Sequence, residues 1–341
     1  MRIGKLARTL ISVLENPITR KHAILVLGPA GIGKSDVVRQ TAAFFTWSMI
    51  DIRLSQMDPV DLRGIPFQDA NGRTAWCPPS WLPDVSRDGP EGIIFLDEIN
   101  GATPAVAAAA YQLILDRALG DYKVPPGWAI VAAGNNQSDR GVTYTMPAPL
   151  TNRFSVWQAE PHIDDFTHYA AQAGCNDKVM AFLRFRADYL HKFSGKDYTS
   201  GMQFPTPRGW MRVSDHMRLD LPDQDMHELI RGDVGEEAGQ EFITFCLNYE
   251  GLVSVEEIMA DPVHAPVPPD IGKRYAVTMA LAARMDKNTT DKAWTYLKRM
   301  PRDFQVLAVT LAYRRNKTEI MRTAMFAEFA EEIISILQPK R

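Results

Sequence analysis

The 341-residue chain has only three cysteines, Cys77, Cys175 and Cys246. They lie far apart, with no CxxC pair and no zinc-ligand spacing. That excludes a disulfide framework or a zinc ribbon and suits reduced thiols, used as buried fillers in a reducing compartment. The seven histidines form no HxxxH or HExxH pair, which argues against a zinc hydrolase. No GxSxG elbow occurs, and Cys77 stands beside Pro78 and Pro79, so no nucleophile suggests itself. An excess of charge of one sign is also missing: 38 Lys+Arg against 41 Asp+Glu leave a net charge of −3. No Lys/Arg-rich run occurs, unlike a protein that coats nucleic acid, although a basic pore inside a ring would not register in the total. No run reaches the length of about 18 apolar residues that spans a bilayer. The most apolar window, 102–115, is broken by Thr103, Pro104 and Gln112. There is no internal repeat.

What is present is ordinary globular chemistry. At 45% hydrophobic and 23% charged residues, the chain is neither disordered nor fibrous. Its length predicts two domains and a core that needs no disulfide or metal staple. The first residues, MRIGKLARTLISVLENP, combine basic residues with a short apolar stretch, the outline of a signal peptide. Arg8 interrupts that stretch, and no small-residue cleavage site follows. Ile3, Leu6, Leu10, Val13 and Leu14 fall at helical spacing instead, so an amphipathic first helix and a cytoplasmic location are expected.

Five short strand-like runs, 23–27, 49–54, 92–96, 128–133 and 154–157, alternate with helical stretches. This pattern predicts an α/β domain with a five-stranded, mostly parallel sheet. Beyond about residue 160 the runs read as helices, at 163–173, 178–193, 209–219, 237–249, 272–285, 291–299 and 303–314. Two seams cut this all-α half. Residues 220–237 carry seven acids against Arg231 alone and read as a solvated loop or surface face. Residues 261–270 hold four prolines and read as an extended linker.

The sequence GPAGIGKS, residues 28–35, fits GxxxxGK[ST] between an apolar strand and a helical run. Gly28, Pro29, Ala30, Gly31, Ile32, Gly33, Lys34, Ser35 and Asp36 are therefore the candidate nucleotide-binding residues. Glycines let backbone N–H groups close around phosphates, and the helix N-terminus adds its positive dipole end. Lys34 would reach the β- and γ-phosphates, and the Ser35 hydroxyl would ligate Mg²⁺. A glycine turn before a helix is the plainer alternative. Next, GIIFLDEIN, residues 92–100, is an apolar strand ending in two acids. Asp97 would hold the Mg²⁺ shell, and Glu98 would polarise a water for in-line attack on the γ-phosphate. Alone, such a pair is often a solvated turn; after a phosphate loop it favours hydrolysis.

The fourth strand ends WAIVAAGNN, placing Asn135 and Asn136 at the crevice edge, where either would bond the γ-phosphate or simply form a turn. Arg153 precedes the fifth strand, and Arg208 follows Pro207 at a helix start. Either arginine reads equally well as a solvated charge. Arg117 and Arg140 are weaker candidates for contact with nucleotide. The insertion 57–84 contains a hairpin with a two-residue Asn71-Gly72 turn, and a second short hairpin is expected around 118–127. Phe67, Trp76, Trp81 and Tyr122 would form a gripping surface or pack on the domain.

Taken in order, GPAGIGKS, IIFLDE, the Asn after the fourth strand, Asn152-Arg153-Phe154 and Thr206-Pro207-Arg208 resemble the AAA+ ATPases, and within them the MoxR-like group. The two hairpins resemble that group's helix-2 insert and pre-sensor-1 hairpin, and the strong match covers about residues 20–215. The resemblance implies an AAA+ P-loop NTPase core over 1–160, a helical lid over 161–220 and a helical extension over 221–341. It also implies ATP with Mg²⁺, Asn135 as sensor 1, Arg153 as an arginine finger entering a neighbouring subunit's site, and Arg208 as sensor 2. A shared site implies a ring, usually a hexamer. MoxR-like ATPases commonly work with a protein carrying a von Willebrand factor A (VWA) domain to remodel or activate a target. A nucleic-acid motor or helicase loader on the same fold is the alternative, and a nucleotide-binding switch that does not hydrolyse is a further rival. This chain departs from the group at Asn136, where Pro is common, and at Gly209, where Ala is usual.

Overall fold

The computed structural model describes residues 1–136, 146, 148–193, 201–249, 255–286 and 288–329. The chain divides into two compact units, Met1–Pro161 and His162–Arg341.

The first unit runs α1 (Ile3–Glu15), α2 (Pro17–Arg20), β1 (Ile24–Leu27), α3 (Lys34–Phe44), β2 (Ser48–Arg53), α4 (Pro59–Arg63), β3 (Ile65–Gln68) and β4 (Thr74–Cys77). It continues with α5 (Val85–Asp88), β5 (Glu91–Asp97), α6 (Pro104–Asp116), β6 (Ala118–Leu119), β7 (Tyr122–Lys123), β8 (Gly127–Gly134), α7 (Ala148–Thr151) and β9 (Ser155–Gln158). The five expected runs become one sheet in the order β2-β5-β8-β1-β9, every pair parallel. β5 and β8 are buried along nearly their whole length, as central strands covered on both faces must be. Leu6, Leu10 and Leu14 of α1 are fully buried with Val37 and Val38 of α3 on one face of the sheet. Leu113 and Ile114 of α6 help to cover the other. The first helix is thus the expected amphipathic one, and its periodicity belongs to the core. Among the described residues no helix is long and apolar enough to cross a membrane.

Both hairpins form, but the first differs from expectation. β3 and β4 pair from Ile65↔Cys77 to Gln68↔Thr74. Asn71-Gly72 is not a two-residue turn: the Asp69 N–H donates to the Arg73 carbonyl (2.8 Å), and the Asp69 carboxylate accepts from the N–H groups of Asn71 (2.9 Å) and Arg73 (2.8 Å). Asp69 organises a longer loop, as short acidic side chains do in turns. β6 and β7 are joined through Gly120-Asp121, as expected. The four aromatics divide. Trp81 donates to the Asp61 carbonyl and Tyr122 to that of Pro83, and both pack on the domain, whereas Phe67 and Trp76 stay exposed.

The second unit comprises α8 (Ile163–Gln172), α9 (Asp177–Phe185), α10 (Pro207–His216), α11 (Asp223–Val234), α12 (Glu236–Tyr249), α13 (Val255–Ala260), α14 (Ile271–Arg284), α15 (Thr290–Leu297), α16 (Arg302–Arg315) and α17 (Lys317–Ile320). One apolar core runs from Phe166 to Phe329. Phe182 sits at its aromatic centre, with ring centroids 5.4 Å from both Trp210 and Phe242. Of its two readings, the acidic stretch takes the surface face: α11 and the first turn of α12 carry it, with Ile230, Asp233 and Val234 buried and the other acids turned outward. Asp233 meets Arg212 at 3.1 Å, an ion pair that sequence periodicity does not announce. The proline-rich segment forms no helix, as its composition predicts, and it is tied to α15 and the turn after it: Arg299 donates to the carbonyls of Pro262 and Ala265, and Tyr296 to that of Pro266.

At Gly209, α10 packs directly against the backbone of α11. A Cβ there would lie 2.7 Å from the Asp233 carbonyl oxygen. Gly209→Ala therefore sets a backbone clash, costing about 1–3 kcal/mol, against a helix-propensity gain of at most about 1 kcal/mol. A net loss of thermal stability in calorimetry is expected; an equal or higher melting temperature would show that the helices separate freely.

Candidate nucleotide site

The C-terminal ends of β1, β5 and β8 bring the sequence-marked residues together, as strand ends do in open parallel sheets. Residues 28–33 link β1 to α3, and Gly31 and Gly33 take left-handed φ values of 74° and 96°, which a side chain would resist. Ile32 anchors the loop by burying itself in the core behind it. Lys34 begins α3 and is itself only 8% exposed. Its ammonium donates to the carbonyls of Gly28 (2.7 Å) and Pro29 (2.8 Å) and to Asn135 Oδ1 (3.0 Å). Ser35 Oγ donates to Asp97 Oδ2 at 2.9 Å, joining two segments 62 residues apart. Asp36 is exposed and pairs with Arg39 (2.7 Å).

Glu98 holds a left-handed backbone conformation, φ 53° and ψ 37°. For a residue with a Cβ this costs on the order of 1–2 kcal/mol and persists only when the surroundings enforce it. They do so here: the Glu98 N–H donates to Asp97 Oδ1 (2.9 Å), its carbonyl accepts from the Gly101 N–H (2.8 Å), and Ser55 Oγ donates to its carboxylate. The turn aims the two acids in different directions, Asp97 toward Ser35 and Glu98 toward Ser55 and solvent. Asp51, one strand over on β2, completes the acidic surroundings. Its pKa is raised, first by partial burial and then by the Asp97 charge, against the opposing pull of Arg39 and Arg53.

Three residues at this edge carry no signal in the sequence. Ser55 and Asp51 are ordinary polar residues 43 and 46 positions before Glu98 and Asp97. Asn100 reads as part of a turn, yet it is 6% exposed and hydrogen-bonds the Asn135 backbone. Between the two asparagines left open by the sequence, Asn135 is the one whose side chain meets Lys34.

The arginines separate by environment. Arg153 is exposed between Leu150 and Phe154, which are both buried under the sheet and hold its backbone in place. Arg208 is exposed in the first turn of α10, where Thr206 caps the helix by accepting from the Gly209 N–H (3.0 Å). Arg117 is spent on structure: it donates to the carbonyls of Trp128, Pro125 and Lys21, and burial lowers its pKa. Arg140 lies outside the described residues. The cysteines are all free; Cys175 is a buried filler whose thiol is pushed up to about 11, while Cys77 is exposed on β4.

Hard oxygen ligands suit Mg²⁺, which keeps several waters and takes one or two carboxylates along with substrate phosphates. The adjoining Ser35 hydroxyl and Asp97 carboxylate fit that demand.

Residues 23–154 match the family model described as AAA domain (dynein-related subfamily). Among curated proteins none matches the chain. Among solved structures the chain is similar to the RuvB Holliday junction branch migration motor of Thermotoga maritima, at 18% identity over 86% of this chain and 87% of that one, TM-score 0.41. It is also similar to NtrX of Brucella abortus in complex with ADP, at 18% identity over 97% of this chain and 68% of that one, TM-score 0.39. The first unit has the AAA+ P-loop NTPase fold, and a helical region follows it.

Proposed function

We propose that this protein hydrolyses ATP as a MoxR-like AAA+ ATPase, working as a ring of six subunits that remodels or activates a protein target together with a VWA-domain partner. The carrying observation is the convergence of Lys34, Ser35–Asp97 and Asn135 at one sheet edge, with Glu98 held beside them by a strained turn.

The loop 28–35 presents N–H groups and the α3 N-terminus to the phosphates, and Lys34 exchanges its carbonyl partners for phosphate oxygens. Ser35 and Asp97 would hold Mg²⁺, which when bound neutralises charge on the β- and γ-phosphates. Glu98 accepts a proton from the attacking water and orients it in line. Asn135 donates its amide N–H to the γ-phosphate or that water while its oxygen stays on Lys34. Arg153 of one subunit reaches the γ-phosphate of the next, and Arg208, in the first turn of α10, serves as the sensor-2 arginine.

A protein target is favoured over nucleic acid by the β3–β4 hairpin. Ile65 (64%), Phe67 (51%) and Trp76 (43%) are exposed there, and Arg73 in its loop is the hairpin's one cation. That surface suits apolar polypeptide better than phosphate backbone. Three free thiols suit the cytoplasm.

Phosphate release tests the reading directly. Turnover with ATP and Mg²⁺, lost on chelation by EDTA and unaffected by single-stranded DNA, is expected. Absence of turnover, with ATP still bound, would favour a nucleotide switch. Salt-dependent stimulation by single-stranded DNA would favour a nucleic-acid motor.

A further inference from the structure

The ladder between β5 and β8 ends at Leu96↔Ala132, but β8 continues to Gly134 and the chain to Asn135. Past that point the two strand ends part, and a side chain takes over the pairing. Asn100, in the turn Ile99–Gly101 just after Glu98, donates from Nδ2 to the Asn135 carbonyl (2.6 Å) and accepts at Oδ1 from the Asn135 N–H (3.1 Å). Its carboxamide faces the Asn135 main chain and engages both its donor and its acceptor, as a neighbouring strand would.

Two further features show that the fit is built in. Asn100 is 6% exposed, and burying an amide is favourable only when its donors and acceptors are met. The approach also depends on Gly134, because a Cβ there would lie 2.8 Å from Asn100 Oδ1 and 3.0 Å from Leu27 Cδ2. The clamped residue is the one whose side chain accepts from Lys34 at 3.0 Å.

We infer that Asn100 is a positioning residue for the ATPase reaction: its carboxamide locks the Asn135 backbone to the turn that carries Glu98, so that acid and sensor amide meet the γ-phosphate as one rigid unit. This rests on the reading of the site as an ATPase. Asn100 acts through Asn135, whose main chain takes both of its hydrogen bonds. Misplacing a reacting group by about 1 Å costs on the order of a hundredfold in rate, so loss of the clamp is felt in kcat rather than in binding.

The test compares Asn100→Ala, the near-isosteric Asn100→Asp, Asn135→Ala and the Asn100→Ala/Asn135→Ala double variant. Both Asn100 variants should keep ATP affinity and KM while kcat falls about 10- to 100-fold. Once Asn135 is truncated, removing Asn100 should cost nothing more, since the two act as a unit. Multiplying losses in the double variant, or a loss of ATP affinity equal to the loss of kcat, would overturn the inference and leave the ATPase reading standing. Asn100→Asp keeps the shape and the acceptor if the alanine variant fails to fold. Should the parent protein not hydrolyse ATP, that reading fails, and the clamp is judged by amide hydrogen exchange. Asn100→Ala should then speed exchange at the Asn135 N–H about tenfold while Val131 in mid-strand stays protected. Unchanged exchange at Asn135 would overturn the clamp.

Discussion

Glu98→Gln protein is expected to bind ATP like the parent while turnover falls by a factor of about 10²–10⁴, the usual worth of a positioned general base. The substitution isolates one property. Glutamine has the same shape, can still meet Ser55, and leaves the Asp97 and Gly101 contacts that hold the strained turn untouched. What it loses is a carboxylate that can take a proton from water. Phosphate release measured alongside equilibrium binding of a fluorescent ATP analogue separates the two effects. Unchanged release would remove Glu98 from the chemistry, and loss of binding would move it into nucleotide recognition.

The second large effect is expected at Arg153. Arg153→Ala should reduce turnover by about 10³–10⁵ if the guanidinium stabilises charge at the γ-phosphate as an arginine finger does. A site shared between subunits makes a further demand. Mixed with Lys34→Ala protein, expected to be inactive by itself, Arg153→Ala protein should recover activity. Where the neighbours are correctly ordered, one supplies a whole phosphate loop and the other a whole Arg153. Random assembly at equal amounts makes about one site in four complete in a head-to-tail ring. Failure of rescue, with subunit exchange demonstrated by native mass spectrometry, would put Arg153 outside its neighbour's site. The local structure suits the role: Leu150 and Phe154 are both buried, which leaves Arg153 rigidly based and outward-facing.

Much of this site is legible in the chain because its chemistry is local. A phosphate loop is eight consecutive residues whose backbone groups do the binding, and an acidic pair at a strand end needs only its strand. The five strands are legible for a similar reason, since central parallel strands buried on both faces leave continuous apolar runs. The partners of these groups are not legible. Ser55 reaches Glu98 across 43 residues, and Asn100 reaches Asn135 across 35, through nothing but the order β2-β5-β8 of the sheet. The acidic segment 220–237 stayed open between a loop and a surface face for a related reason. Acids on the outer face of a helix and acids in a loop give the same composition, and Ile230 and Val234 reveal a buried face only where α10 and α12 exist to cover it.

The aromatics of the two hairpin regions make the same division most plainly. Phe67, Trp76, Trp81 and Tyr122 are equivalent as residue types, yet the first two remain exposed while the last two find backbone acceptors and a core to lie on. The amino-acid sequence by itself determined the phosphate loop, the acidic pair, the five strands and the amphipathic helices. Each of these depends on interactions within a few residues or on a repeating period. Only the tertiary structure decided which asparagine meets Lys34, what clamps it, why Gly209 must lack a side chain and which aromatics stay exposed. Those outcomes depend on how closely distant segments approach, and close packing sets that distance after the chain has folded.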